Sequence, residues 1–286
     1  MERPSIKDNL RYQQMEVREG EYVPDAGEVE YPSDDPFKRL VTSTAVRDLK
    51  FDETYPYEDN SFGFRIQREF AYFLALYLFL IVNKLRYGIR FEGRENLKKH
   101  RQAFKNGLVA VSNHCYRWDG MAIAEALRHK LWIPMYSRHF NSKDYWKMRH
   151  FGGIPIPDNY SGLKKFNEAF DNINRKKGWI LVFPESCNWH FYKPLKPFKK
   201  GALTMAYKYN IPVLPICIAY RERTGIHKLF DKPGIPLMTV RIGEPIFPDT
   251  GNNRKDEVDR LIRESHAAVC NLAGIIRNPW PPVWDE

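Results

Sequence analysis

The chain has 286 residues, of which 43% are apolar and 14% aromatic, enough to bury one substantial core with room for an appendage. The opening stretch, MERPSIKDNL, lacks the apolar centre of a signal peptide, and the four cysteines (Cys115, Cys187, Cys217, Cys270) form no C-x-x-C pair, so they read as reduced thiols rather than a disulfide framework. Formal charge is +10, split between an acidic leader, residues 1–60 at −7, and a body at +17, which points to an anionic partner: nucleic acid, an anionic membrane or a phosphorylated substrate.

In chain order, residues 1–60 are polar and proline-punctuated, an irregular extension that either wraps the body or stays mobile. Residues 61–90 hold an apolar helix with an uncharged core, Phe70 to Val82, flanked by Arg65, Arg68, Lys84 and Arg86. Thirteen residues make roughly 20 Å of helix, short of the roughly 30 Å of a hydrocarbon layer. The segment fits a membrane-associating helix lying in an anionic lipid face, with a buried core helix as the alternative. Residues 91–286 then alternate. Strands are expected at 107–112, 131–137, 179–184, 211–220 and 237–242, and helices at 118–129, 161–176, 200–209 and 254–272. The apolar runs GLVAV, WILVF and VLPICIA suit strands covered on both faces. The expected fold is α/β, a mainly parallel sheet flanked by helices, preceded by the membrane-associated helix and the irregular extension. Such sheets keep their chemistry at the carboxyl ends of strands.

One expected strand runs into Ser112-Asn113-His114-Cys115-Tyr116-Arg117-Trp118-Asp119-Gly120. On a continuous helix, positions five apart stand about 140° from each other, so His114 and Asp119 would not meet. With His114 in the turn and Asp119 in the first helical turn, the carboxylate reaches back to the imidazole, and the helix dipole favours its charge. A carboxylate on one ring nitrogen fixes the tautomer and raises the basicity of the other, which makes a general base. No serine, threonine or cysteine is spaced as a nucleophile, so the proton would come from a substrate hydroxyl. Taken alone, the pair also suits a surface histidine beside a capping aspartate.

Downstream stand FGGIPIPDN (151–159), LVFPES (181–186), LKPFKKGALTMA (195–206) and IPVLPI (211–216). Together with Asn113, His114 and Asp119 these resemble the four blocks of the glycerolipid acyltransferase family, over about residues 90–250. Phe183, Pro184 and Glu185 match the third block, and Ile211, Pro212, Val213 and Pro215 the fourth. Gly153, Ile154, Pro155 and Ile156 match the second in part. The resemblance implies acyl transfer from acyl-CoA or an acyl carrier protein to a hydroxyl of a lysophospholipid or related glycerolipid. His114 would be the base and Asp119 its orienting partner. Asn113, Arg138, Pro184, Glu185, Ser186, Lys199 and Lys200 would line the substrate site. Oxyanion donors are expected from backbone N–H groups near Pro184-Glu185-Ser186. It implies no metal and no cofactor beyond the thioester co-substrate, membrane lipids as partners, no nucleic acid, and a peripheral or monotopic place on the cytoplasmic face of a membrane. A non-catalytic lipid-binding protein on the same fold, and a metal-dependent hydrolase using His114, Asp119, Glu185 and His190, are the alternatives.

The chain departs from the family twice. Asp158 stands where the second block usually ends in arginine, and Ser186-Cys187-Asn188 where the third continues Gly-Thr-Arg. Those arginines bind the acceptor phosphate in the family, and a guanidinium fork suits that task. Candidate substitutes are Arg117, Arg138, Lys193, Lys196, Lys199 and Lys200. Without the fork, free lysophosphatidic acid is not expected to be the best acceptor.

Overall fold

The computed structural model describes residues 9–25, 29–78, 80–230 and 235–284, except the Leu78 side chain; Phe79 of the apolar segment and residues 1–8 and 26–28 of the extension lie outside that description. Seven strands form the central sheet: β1 (Arg90–Glu92), β2 (Leu108–Ser112), β3 (Leu131–Tyr136), β4 (Gly153–Ile156), β5 (Trp179–Val182), β6 (Val213–Arg221) and β7 (Leu237–Ile242), in the order β1-β7-β6-β2-β5-β3-β4. The run β6-β2-β5-β3-β4 is parallel. β7 is antiparallel to β6 and β1 parallel to β7, so the mixed part is confined to one edge.

β2 is buried along its whole length and alternates strictly. Val109 and Val111 join a core that includes Phe166, Phe170, Leu203 and Leu261, while Leu108 and Ala110 join one that includes Ile123, Ala126 and Leu127. The period of two sends successive side chains to opposite faces, and helices cover both. These helices are α2 (Asp119–Leu127), α3 (Tyr145–His150), α4 (Tyr160–Arg175), α5 (Gly201–Tyr209) and α6 (Arg254–Leu272). The expected strands and helices agree with the structure to within two residues. Two strands of the central sheet, and α3, were not expected. β1 has only three residues, too few for a period, and β4 contains Pro155, which is tolerated because β4 is an edge. Ahead of β4, Gly152 has φ +88, and a Cβ there would stand 1.9 Å from the Leu131 carbonyl oxygen, so that approach requires glycine.

The apolar segment is longer than its uncharged core. It is helical from Phe62 to Leu85, 24 residues, capped by Ser61 and with a π turn at Leu74–Leu78; by length and composition it could cross a membrane. We call it α1. Phe64, Ala71, Tyr72 and Ala75 are buried beneath it, and Tyr72 bonds Leu131 and Phe151. Phe62, Ile66, Phe70, Phe73, Tyr77, Leu80 and Ile81 face outward, a stripe at spacings of three and four. It is therefore not the fully buried core helix weighed as the alternative.

Residues 29–60, though irregular, pack on the body. Tyr31 joins Trp189, Tyr192 and Trp280, and Phe51, Tyr55 and Tyr57 join Phe140 and Phe166. Further back, Glu16–Val17 pairs with Ile275–Arg277 in a two-stranded ribbon.

Candidate active site

The site is built where β2 ends. Asn113 is buried, its amide donating to the Ile218 carbonyl (3.0 Å) and its oxygen accepting the Ile218 N–H (2.8 Å). That two-way bond to β6 fixes the strand end and aims the next residue outward. α2 then opens at Asp119, whose side chain is fully buried. Its Oδ2 accepts three bonds: from His114 Nδ1 (2.9 Å), the Cys115 N–H (2.8 Å) and the Tyr116 N–H (2.8 Å). An ionised carboxylate only accepts, so the proton of neutral His114 belongs on Nδ1 and Nε2 is the free base. The ring stacks on Phe183 of the adjacent strand end, 4.2 Å between centroids, and keeps 26% of its side chain exposed. One buried carboxylate thus orders both the turn and the imidazole.

Glu185 performs a second anchoring. It is 2% exposed, and its oxygens accept the His114 N–H (2.7 Å) and the Lys196 N–H (2.8 Å). Burial pushes its carboxyl up from the ordinary value, against the pull of Lys196 and the two amides. It binds backbone, so its place is beneath the site rather than on its surface. Pro184 is buried, and its carbonyl accepts the Lys199 N–H (2.9 Å). Ser186 stands in the left-handed region at φ 61, its N–H given to Phe183, while the Cys187 N–H goes to Glu185. Two amides expected to meet an oxyanion are thus engaged within the turn.

The candidate cations separate. Lys193 is buried against Glu21 and the Ala273 carbonyl, and Lys196 against the Cys187 carbonyl, so neither reaches the site's surface. Lys200 pairs with Asp259 on α6 at 3.5 Å. Lys199, Arg138 and Arg117 are exposed, Lys199 with its Nζ 4.2 Å above the Phe37 ring and Arg117 beside Tyr116. Asp158 accepts a bond from Ser137 at the end of β3 (3.3 Å).

His139 was missed in the sequence, and His190 was weighed only as a metal ligand. Burial first, then the charge of His114 among others, lowers the pKa of His139, and burial likewise lowers that of His190. They stand on separate elements, so no spacing betrays them. Cys115 donates to the Tyr192 carbonyl (3.3 Å), and burial pushes its thiol well up, which suits packing and not attack. Among the described residues, no group of three or more His, Cys, Asp or Glu side chains could hold a metal ion, which leaves the hydrolase alternative without a ligand set. A cleft of about 580 Å³ between residues 58–69 and Trp132 lies at the amino-terminal end of β3, the far end of the sheet from His114.

A carboxylate-held histidine at a strand's carboxyl end of an α/β sheet is the arrangement to set beside known proteins. Residues 88–219 match the family described as Acyltransferase. The chain is 22% identical over 189 residues to a 1-acyl-sn-glycerol-3-phosphate acyltransferase of Limnanthes douglasii, covering 62% of this chain and 60% of the relative. It is 29% identical over 97 residues to the protein of the same description from Saccharomyces cerevisiae, covering 34% of this chain and 31% of the relative. The chain thus spans less than two thirds of these curated relatives. Among solved structures it is similar to the 1-acyl-sn-glycerophosphate acyltransferase PlsC of Thermotoga maritima, with TM-score 0.47 and 21% identity over 73% of this chain and 78% of that one.

Proposed function

We propose that this protein transfers a fatty acyl group from an acyl thioester, acyl-CoA or acyl carrier protein, to a hydroxyl of a lysoglycerolipid at a membrane surface. The observation that carries this reading is the 2.9 Å bond between His114 Nδ1 and the buried Asp119, which leaves Nε2 free beside the solvent. In the proposed reaction Nε2 takes the acceptor hydroxyl's proton as the oxygen attacks the thioester carbonyl. The tetrahedral intermediate collapses with cleavage of the C–S bond, and the imidazolium returns the proton to the leaving thiolate. Asp119 stabilises the imidazolium in between. The names of the relatives make 1-acyl-sn-glycerol 3-phosphate the first acceptor to try.

The outward stripe of α1 supports a seat on a membrane, where anionic lipids meet Arg65, Lys84 and Arg86, and we propose that the seat is monotopic or peripheral and on the cytoplasmic side. A second apolar group adjoins its end: Ile226, Leu229 and Phe230 are exposed, and the turn carrying them is tied to α1 by His227 Nδ1, which donates to the Leu85 carbonyl (2.9 Å).

The test is product identification by mass spectrometry with a panel of lysolipids and both donor types. His114→Ala should lower turnover by roughly 10²–10⁴-fold, the usual contribution of a general base, in a folded protein. Asp119→Asn should also lower it, because an amide presents a donor as well as an acceptor to groups that all donate. Near-wild-type transfer in either variant would refute the mechanism.

A further inference from the structure

We propose that the strap of residues 36–43, part of the amino-terminal extension, is a wall of the acceptor site, and that its Arg39, with Lys199, binds the anionic head of a phosphate-bearing lysoglycerolipid. This rests on the acyl-transfer reading above. It concerns residues outside the family's matched segment, 88–219.

The strap is fixed at two points across the carboxyl edge of the sheet. At the β5 side, the Lys38 carbonyl accepts from Trp189 Nε1 (2.8 Å) and from Cys187 Sγ (3.6 Å), and the Pro36 carbonyl accepts from the same thiol (3.8 Å). At the β3 side, Ser43 Oγ lies 2.7 Å from His139 Nδ1, and the N–H groups of Val46 and Arg47 donate to the Asn141 carbonyl. Between these anchors the chain passes from the loop after Ser186 to the turn after Tyr136. β5 lies between β2, which delivers His114, and β3, which delivers Tyr136, so the strap flanks the catalytic strand ends.

Arg39 lies between the anchors, its guanidinium 3.8 Å above the Tyr136 ring and its residue exposed. Stacking through the flat face leaves the in-plane N–H donors for an anion, and it pre-orders a side chain that would otherwise lose freedom on binding. Phe37, two residues earlier, lies beneath the Lys199 ammonium, and Lys199 is held to Pro184 through its own N–H. His139, at the second anchor, is lowered in pKa by burial first and then by the charges of His114 and Arg39, so the base and Arg39 both act on that ring. The positions where the family carries arginine are Asp158 and Asn188 here, and a bound phosphate beside Asp158 needs cations from elsewhere. Lys193, Lys196 and Lys200 are committed to other partners. The strap supplies a fork where the body has lost one.

The experiment uses the full-length protein in non-ionic micelles, without acyl donor, and measures binding of 1-acyl-sn-glycerol 3-phosphate and of monoacylglycerol by calorimetry. Arg39→Ala should weaken the phosphate-bearing lipid roughly tenfold to hundredfold, as loss of a charge-assisted pair does, and leave monoacylglycerol unchanged. Lys199→Ala should act in the same direction, and Arg39→Lys should recover part of the loss. In turnover, KM for the phosphate-bearing acceptor should rise while kcat holds. No affinity of the wild-type protein for that lipid, an unchanged affinity in Arg39→Ala, or an equal loss for both lipids would each overturn the proposal. If Arg39-dependent binding is found but no acceptor is acylated, the acyl-transfer reading falls and the assignment of Arg39 as an anion ligand stands.

Discussion

Ser186 occupies a backbone position made for glycine. Its φ of 61 brings Cβ toward its own carbonyl, at a cost of roughly 1–2 kcal/mol for a residue with a side chain. The strain persists because Glu185, locked to two backbone amides, and the Ser186 N–H, given to Phe183, determine the turn from both sides. Ser186→Gly should therefore stabilise the folded protein by about 0.5–1 kcal/mol, the relief exceeding the added freedom of the unfolded chain. In a chain this long that is a rise of about 1–3 °C in the midpoint of a thermal melt. A lower midpoint would mean that the serine side chain contributes more than its strained backbone costs. The sequence shows the departure from the family's glycine but not its sign, which depends on φ.

At the scale of the element, α1 has two apolar faces, one packed on the body and one open. Tyr72 and Ala75 are held against the body, whereas Phe73 is 57% and Ile81 66% exposed. Water does not compensate such a stripe, and a continuous exposed apolar patch marks an interaction surface. Phe73→Glu with Ile81→Glu should abolish co-sedimentation with anionic vesicles and leave a soluble, folded protein, since neither side chain is part of the core. Retention on the vesicles would remove α1 from the membrane contact. Unfolding of the double variant would show that these positions support the fold. Periodicity makes the apolar segment legible, yet its inner and outer faces are equally apolar, so which one meets protein is decided by the surface α2 and β3 offer.

For the whole molecule, buried titratable groups away from the site set the response to acid. His266 on α6 is 4% exposed, packed edge-on against Phe198, and burial holds its pKa at about 4 in place of the ordinary 6.5. The unfolded chain takes up this proton near pH 6.5, whereas the folded chain resists until about pH 4, so the unfolded state binds more protons in that window. Stability is full above pH 6.5 and falls as pH drops toward 4, by on the order of 3 kcal/mol for this group. Glu257, buried beneath Arg260 and the Asp249 N–H, is held down to about 2, and adds a further loss as pH falls from 4.5. Urea unfolding at pH 7.5 and 5.0 should show a smaller drop in His266→Gln than in the wild-type protein. Equal drops would place the acid sensitivity elsewhere.

Much of this follows from sequence because it is local. An apolar run with a period of two is a strand wherever it lies, and a turn before a helix brings His114 and Asp119, five residues apart, to one point. The sheet's main elements and the histidine–aspartate contact are both of this kind. Glu185 is not, since its role depends on the backbone of residues 71 positions earlier and 11 positions later. Nor is the sorting of the lysines: Lys199 and Lys200 are neighbours in sequence, yet one faces Phe37 and the other Asp259. The irregular extension carries no periodic signal, because its side chains are matched to the body and not to a lattice of their own. Tyr31 under Trp189, Ser43 at His139 and Arg39 on Tyr136 are contacts across about 100 to 160 residues of chain. Closing such loops is determined by where the two surfaces fit, a property of the packed molecule that no local pattern of residues encodes.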